Sequence, residues 1–499
     1  MARPRPPETV RLVLAVGGER PPGIAAICRA IDEAGLPAGP WRGFRRRYVG
    51  WDGPDGELAR AGLRLETVGS GRTARALLTI AGGPALHRCV VLPTIGSPPP
   101  LDELVKAAGL PGRGHVALQE TLGRAVAGRT CPAAADGATI TVETATWQRD
   151  GMTWRQHQLV LEAPAGSAAE LLAAARPLAD RLPLRLVDER PERAAEWRLG
   201  AVPPAFARVV SENLGAAETA ADAFLVIGRA GLRQVVANIE LLAHVPAPEA
   251  VHRLRVGLRR LRAALTLFRD CLDPEARRSL AADLKWMNGV FAGTRDWDVF
   301  AAETLAPIRE AIGPGFDLSA AAAAVEQRRT AARAAMAQAL YDPRLTRTML
   351  DLVVWLELGR APATGARAGD PVRKFARRLL SRGRRRLLAH FAEARPTTPA
   401  EWHALRIEAK KLRYATDAFG ALYPRETALP FLRALQEVQD CLGRYNDAAV
   451  ADGLSRGLDD VATAALVAGW TAHARLEQER RFEGAWKTFR KRRPFWRRD

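Results

Sequence analysis

From Phe206 onward, apolar residues recur at intervals of three and four almost without interruption. That is the spacing of amphipathic helices. Breaks are predicted near Pro246–Pro248, Gly313–Gly315 and Pro362–Pro371. The first 185 residues follow a different rule. Short apolar runs at Val10–Val16, Ala76–Ile80, His87–Leu92, Ala138–Val142 and Gln158–Glu162 alternate with Gly, Pro and Asp, which reads as strands separated by turns. Gly23–Ala34 and Ser167–Arg181 read as helices among them, and the charged stretch Asp188–Pro204 as a linker. The pattern therefore predicts an α+β domain over residues 1–190, a linker at 191–205 and an all-α region over 206–499. The all-α region falls into halves of about 206–350 and 370–499, parted by the mobile-looking sequence APATGARAGDP.

Within the helical region one stretch returns. Val251–Phe268, VHRLRVGLRRLRAALTLF, is echoed by Glu401–Phe419, EWHALRIEAKKLRYATDAF. The offset from His252 to His403 is 151 residues, and it holds for Leu254/Leu405, Arg255/Arg406, Leu261/Leu412 and Arg262/Arg413. Arg259 and Arg260 become Lys410 and Lys411, which preserves the charge. The same register reaches Phe268/Phe419, Leu284/Leu435, Asp296/Asp447 and Val299/Val450, so a helical unit has been duplicated.

Each copy divides by face. His252, Arg255, Arg259 and Arg262 span an arc of roughly 80° on a 3.6-residue helix, with Leu254, Leu258, Leu261 and Leu265 on another. The second copy sets His403, Arg406, Lys410, Lys411 and Arg413 against Leu405, Ala409, Leu412 and Phe419. A solvated face usually mixes signs, with acids placed to pair bases. Here no acid lies between Val251 and Arg269, and after His403 the second copy has only Glu408 and Asp417. Gathering one sign costs repulsion that an anion relieves. A bound polyanion and a plain solvated face remain the two readings.

Charge supports the first. Residues 1–200 carry 26 bases against 21 acids, and residues 201–499 carry 48 against 34, so +14 of the net +19 accompanies the repeat. The five cysteines, Cys28, Cys89, Cys131, Cys271 and Cys441, form no C-x-x-C pair, which argues against a zinc site or a disulfide framework and suits a cytoplasmic setting. No run of eighteen apolar residues is present, so neither secretion nor a membrane span is expected. No phosphate-loop sequence occurs. In the C-terminal RRFEGAWKTFRKRRPFWRRD, Phe482, Trp486 and Phe489 have the spacing of a helix packing inward, leaving the tail beyond Arg490 available to anions.

The two H-x-L-R-[VI]-x-x-[RK]-[RK]-L-R helices resemble the CHAD family, the conserved-histidine α-helical domain. So do the later segments LKWMNGVFAGTRDWDV and LQEVQDCLGRYNDAAV. One departure is Ala292, where Gly443 shows the family's turn glycine. The resemblance spans about residues 206–499 and implies two pseudo-symmetric four-helix bundles around a basic groove that binds inorganic polyphosphate. The residues it implicates are His252, Arg255, Arg259, Arg260, Arg262, His403, Arg406, Lys410, Lys411 and Arg413. Arg233, Arg384 and Arg385 are added because FARRLLSRGRRRLL is a further basic row and Arg384 matches Arg233 at the same offset. The histidines could donate to phosphate or serve as capping groups; no nucleophile accompanies them. Asp296 and Asp447 read as acids that bond helix ends or orient an arginine.

The N-terminal region more distantly resembles the CYTH family of triphosphate-tunnel enzymes, through YVGWDGPDGELARAGLRLET (Tyr48–Thr67) and QLVLEAPAGSAAELLAAARPLADRLPLRL (Gln158–Leu186). The resemblance implies an antiparallel β-barrel. Its metal-holding acids do not carry over: Thr9, Arg11 and Val13 replace E-x-E-x-K, and Glu66 and Val68 replace two tunnel arginines. Ala81 replaces a lysine, and of the later acidic strand only Glu162 remains beside His157 and Val160. Without clustered carboxylates no metal or other cofactor and no catalytic residue is expected. The expected function is non-catalytic polyphosphate binding in the cytoplasm at polyphosphate granules, with granule proteins as further partners and no membrane. Two alternatives stay open: a metal-dependent triphosphatase, and a general polyanion binder, although nucleic acid is not expected as the main ligand.

Overall fold

The computed structural model describes residues 9–497 apart from 19, 71–72, 82–84, 95–97, 112–115, 188–191, 208–213, 246, 360–363, 394 and 459. Parts of the expected linker and of the breaks at Pro246 and Pro362 lie outside the described residues. By contact density the chain forms two compact units. One is Met1–Arg208 with Leu232–Leu254 and Ala337–Ala361; the other is Val209–Gly231 with Arg255–Met336 and Pro362–Asp499.

The first unit is built on nine strands: β1 (Thr9–Val16), β2 (Arg42–Asp52), β3 (Leu63–Val68), β4 (Arg75–Ala81), β5 (Leu86–Pro93), β6 (Gln119–Pro132), β7 (Thr139–Arg149), β8 (Met152–Pro164) and β9 (Leu184–Leu186). All neighbours are antiparallel, in the order β5-β4-β3-β2-β6-β7-β8-β1, and β1 also pairs with β5. The sheet thus closes into an eight-stranded barrel, which leaves no free edge along that circuit. β1 serves three partners: Thr9–Leu12 pair with β5, Leu14–Val16 with β9, and the whole strand with β8. At Gly128 a Cβ would fall 2.3 Å from the Val142 carbonyl oxygen, so β6 and β7 approach as they do only with glycine there.

Helices α1 (Ile24–Glu33), α2 (Glu57–Arg60), α3 (Leu101–Ala107) and α4 (Ala168–Ala175) connect the strands. Leu101, Leu104 and Val105 of α3 cover Leu63, Leu65, Leu78 and Val90 on the sheet. Each such side chain contributes roughly 1.5–3 kcal/mol on burial. The five apolar runs and both helical stretches anticipated here are present. β2, β3 and β6 were not legible from periodicity, because arginines and glycines interrupt their alternation and pairing with neighbouring strands holds them extended.

The stretch expected as a linker contains α5 (Glu192–Arg198). Ala195 and Leu199 pack on Tyr48, Val126, Ala145 and Trp147 of the barrel. Two longer helices contribute to the same unit: the second half of α6 (Ala220–Leu242) and α12, which follows below. Arg185 of β9 and Glu240 of α6 form a wholly buried ion pair, and His244 Nε2 stands 3.0 Å from the same carboxylate.

The helical series continues with α7 (Pro248–Leu267), α8 (Pro274–Val290), α9 (Ala292–Val299), α10 (Ala306–Ile312), α11 (Ser319–Ala339) and α12 (Pro343–Leu356), then α13 (Val372–Glu393), α14 (Pro399–Phe419), α15 (Arg425–Ser455) and α16 (Val461–Lys491). α13 to α16 make a four-helix bundle in the second unit. Its core is aromatic: Phe482 and Trp486 stack 5.7 Å apart, and Phe431 meets Phe489, Phe495 and Trp496. The tail beyond Arg490 is therefore not simply free. Phe495 and Trp496 fold back into the core, and Trp496 Nε1 donates to Ser381 Oγ at 2.9 Å.

The 151-residue offset is visible in the packing. Phe268 stacks on Phe375 at 5.2 Å and meets Phe224 and Phe419 at 5.6 and 5.8 Å. Phe224/Phe375 and Phe268/Phe419 are both equivalent pairs, so one cluster joins the two repeats. The turn expected at Gly443 is absent: α15 runs through it, whereas in the first copy the helix breaks at Phe291, between α8 and α9. Among the described residues no helix is long and apolar enough to cross a membrane.

Candidate anion site on the paired helices

α14 begins with a capping box. The Thr398 hydroxyl accepts from the Glu401 backbone, Glu401 reaches back to the Thr398 N–H, and Pro399 opens the first turn. From that start Leu405, Ala409, Leu412 and Phe419 point into the bundle. In the helix beside it, Gly383 of α13 lets Leu412 approach so closely that a Cβ would stand 3.2 Å from its Cδ1. Apolar burial of one face fixes the helix rotation, and rotation places the cations.

Arg255 donates to the Ala292 carbonyl at 3.0 Å and to Asp296 at 3.2 Å. Its equivalent Arg406 lies 4.0 Å from Asp447. Asp296 thus orients Arg255 through a hydrogen bond, while Asp447 meets Arg406 only as a longer ion pair. Nε of Arg255, Arg259 and Arg406 is buried without a protein acceptor. Burial lowers the pKa of Arg255 and of Arg406 despite the acids. Lys410 sits among these groups. Burial first, then Arg406 and Arg259, push its pKa down to about 7, with Asp447 opposing and Arg255 adding to the fall. The His403 Nδ1 is 2.8 Å from Asn446 Oδ1. An amide oxygen only accepts, so Nδ1 carries the hydrogen, and the ring itself is exposed.

The remaining basic residues separate. Arg259, Arg262, Lys410 and Lys411 line a cavity of about 340 Å³. Arg260 and Arg413 line a second, of about 620 Å³, with Ala263, Leu267 and Tyr414 shared between the two. Lys411 pairs with Glu408, and Arg413 bonds Asp417 at 2.7 Å as well as Gln436. Burial raises the Asp417 pKa although Arg413 opposes it. Arg384 donates to the carbonyls of Arg490 and Arg492 at 3.3 and 3.5 Å, closing the end of α16, and Arg385 is exposed outside both cavities. Arg382 and Arg386 line the first cavity instead. The basic row on α13 was visible in the sequence, but the offset pointed to Arg384 where the helical phase of Leu379, Arg382, Gly383 and Arg386 was the better guide. His252 and Arg233 belong to the other compact unit, so eleven of the thirteen residues expected at the site share a unit.

The barrel interior is the other concentration of charge. Arg124 forms an ion pair with Glu66 at 3.1 Å and donates to it at 3.4 Å; Glu66 also pairs with Arg64, which in turn lies 3.4 Å from Glu192 of α5. Burial would raise the Glu66 carboxyl, but Arg124 and Arg64 hold it below its ordinary value. Arg11 keeps its charge against burial through Glu143 and Glu162. His87, with neither ring nitrogen bonded to protein, is driven to about 3 by burial and by Arg64 and Arg11, so it is neutral. Of this network, whose members come from six strands and α5, the sequence singles out only Arg11, Glu66 and Glu162. Among the described residues no three His, Cys, Asp or Glu side chains could hold a metal ion. The interior acids face arginines rather than one another.

Comparison with known proteins places these features. Residues 227–456 match the family model of the CHAD domain. Among solved structures, the CHAD domain from the plant Ricinus communis is 29% identical over 58% of this chain and 98% of its own, with a TM-score of 0.47. PptA from Streptomyces chartreusis is 22% identical over 54% and 100%, with a TM-score of 0.45. A putative adenylyl cyclase from Hippeastrum, described as having a dominant triphosphatase activity, is 12% identical over 39% and 98%, with a TM-score of 0.25. No curated protein matches the chain. The family match falls on both copies of the basic helix, so residues 227–456 are the part of the chain that carries a CHAD domain.

Proposed function

We propose that the chain binds inorganic polyphosphate through the paired helices α7 and α14 and does not cleave it. The observation that carries this reading is the setting of Lys410: a half-buried amine beside Arg255, Arg259 and Arg406, whose buried Nε–H groups have no acceptor in the protein. Like charges held this close are costly in the free protein, and a chain of phosphoryl oxygens offsets the cost while supplying acceptors. Arginine forks suit that ligand, and it carries no bases that would require aromatic platforms. The binding region is taken to begin near residue 206, and association with polyphosphate granules follows from the affinity.

A triphosphatase acting in the barrel is the second reading. Against it stand the ion pairs of Glu66 with Arg64 and Arg124, the hydrogen bond of the Thr9 hydroxyl to Glu162 and the packing of α5 against inward-facing residues. Phosphoryl transfer leans on metal ions that bridge phosphate oxygens, and these acids are already engaged. The deciding experiment replaces Arg255, Arg259, Arg406 and Lys410 together by Ala and titrates with polyphosphate of defined lengths. Binding is expected to weaken at least a hundredfold with helix content unchanged. Retained affinity would move the site elsewhere.

A further inference from the structure

The outer wall of the barrel carries a basic trough that the paired helices do not account for. Cross-strand register puts its residues in two rows. Arg47, Ala125, Thr146 and Arg155 are successive partners across β2, β6, β7 and β8; Arg45, Ala127, Thr144 and His157 form the next row. Directly paired residues share a face of the sheet. Each row therefore has a cationic or protonatable side chain at both ends and small residues between, three strand steps or about 14 Å apart. Arg45, Arg47, Arg155, Ala125, Ala127 and both threonines line one open cavity of about 500 Å³. The three arginines are exposed. No acid and no aromatic residue lines the cavity among the described residues. His157 Nδ1 lies 2.8 Å from the Thr144 hydroxyl, which ties that end of the second row to its floor.

We infer that this trough is a second binding surface for a linear phosphate polyanion. The inference rests on the reading above for the ligand and adds a place where it is held. Arg45 and Arg47 on one side and Arg155 on the other, over a floor of small residues and hydroxyls, admit a narrow chain along the groove. Arginine forks can then reach it from both sides, while Thr146 can donate to its oxygens. Grooves that hold single-stranded nucleic acid add aromatic side chains on which bases stack, and this floor has none. Charge without stacking favours bare phosphate over a base-bearing strand.

The test uses the full chain carrying the fourfold Ala replacement in the paired helices, with and without Arg45→Ser, Arg47→Ser and Arg155→Ser. Long-chain polyphosphate is titrated calorimetrically over a range of salt. The helix-disabled protein is expected to keep a weak, salt-sensitive binding. The serine replacements should reduce it at least tenfold and lower the slope of log K against log salt by about two, the release expected from three contacts at 0.7 each. Because all three side chains are exposed, melting curves should not move. No residual binding before the serine replacements, or residual binding unchanged by them, would overturn the inference. Displacement of polyphosphate by DNA at equal phosphate concentration would overturn it in favour of a nucleic-acid surface. If the fourfold variant binds as tightly as the native protein, the paired-helix reading fails, and the serine replacements still decide the trough.

Discussion

Arg255 reaches Asp296 across 3.2 Å, and 151 residues later Arg406 stands 4.0 Å from Asp447. The pair recurs because the duplicated unit carried both partners. Asp296 orients its guanidinium, and both acids neutralise part of the charge that an anion would meet. In the first copy Arg255 keeps a second acceptor, the Ala292 carbonyl. Asp296→Asn should therefore leave the arginine in place and tighten polyphosphate binding about three- to tenfold at low salt, a gain that shrinks as salt screens it. Isothermal titration at two ionic strengths checks this. Weaker binding would mean that orientation by the acid matters more than its charge.

Lys410 sets a pH dependence. Its pKa is lowered to about 7 in the folded protein, so between that value and the ordinary lysine range near 10.4 the unfolded chain holds more protons. Stability contributed by this group therefore rises with pH across that window and is lowest below pH 7. Lys410→Met should raise the melting temperature most at pH 6, with the advantage fading toward pH 10. Polyphosphate favours the charged amine, so binding by the native protein should take up a proton near pH 7.5 and weaken as pH rises. Calorimetry in buffers of different ionisation enthalpy measures the uptake, and its absence would remove Lys410 from the site.

The buried pair Arg185–Glu240 predicts a large loss from a small change. Both side chains are fully buried, so Glu240→Gln leaves a guanidinium without its counter-charge and should cost about 3–5 kcal/mol of stability in the N-terminal unit. Replacing both partners, Arg185→Met with Glu240→Leu, should recover most of it. Chemical denaturation of the three variants gives the comparison.

Barrel chemistry offers a fourth prediction. Incubation with tripolyphosphate and Mg²⁺ or Mn²⁺ should release no phosphate above background at pH 7–9. Metal-dependent release that disappears on Glu66→Gln would establish catalysis in the interior and overturn the non-enzymatic reading.

Much of the basic helix pair was legible before the fold. One-dimensional spacing is enough to assign a helical face, so Arg255, Arg259, Arg406 and Lys410 could be named from period and offset alone. The same logic misplaced Arg384. Offset preserves ancestry, but the side chain's direction is set by which face of α13 buries its leucines, and that turned Arg384 onto the carbonyls at the end of α16. His252 shows a different limit. Its helix begins in one compact unit and continues in the other, a division no local pattern encodes.

The helical region, its duplication, the uneven charge and the identity of the paired acids are all readable along the chain, because periodicity and repetition are one-dimensional properties. What those charges meet depends on the folded packing. It sorted Arg260 and Arg413 from Arg259 and Lys410 into separate cavities and filled the barrel interior with arginine–glutamate pairs drawn from distant strands. It also aligned Arg47, Ala125, Thr146 and Arg155 across four strands. Strand register and helix rotation follow from burial of whole faces against partners far away in sequence, and electrostatic neighbourhoods follow from register and rotation.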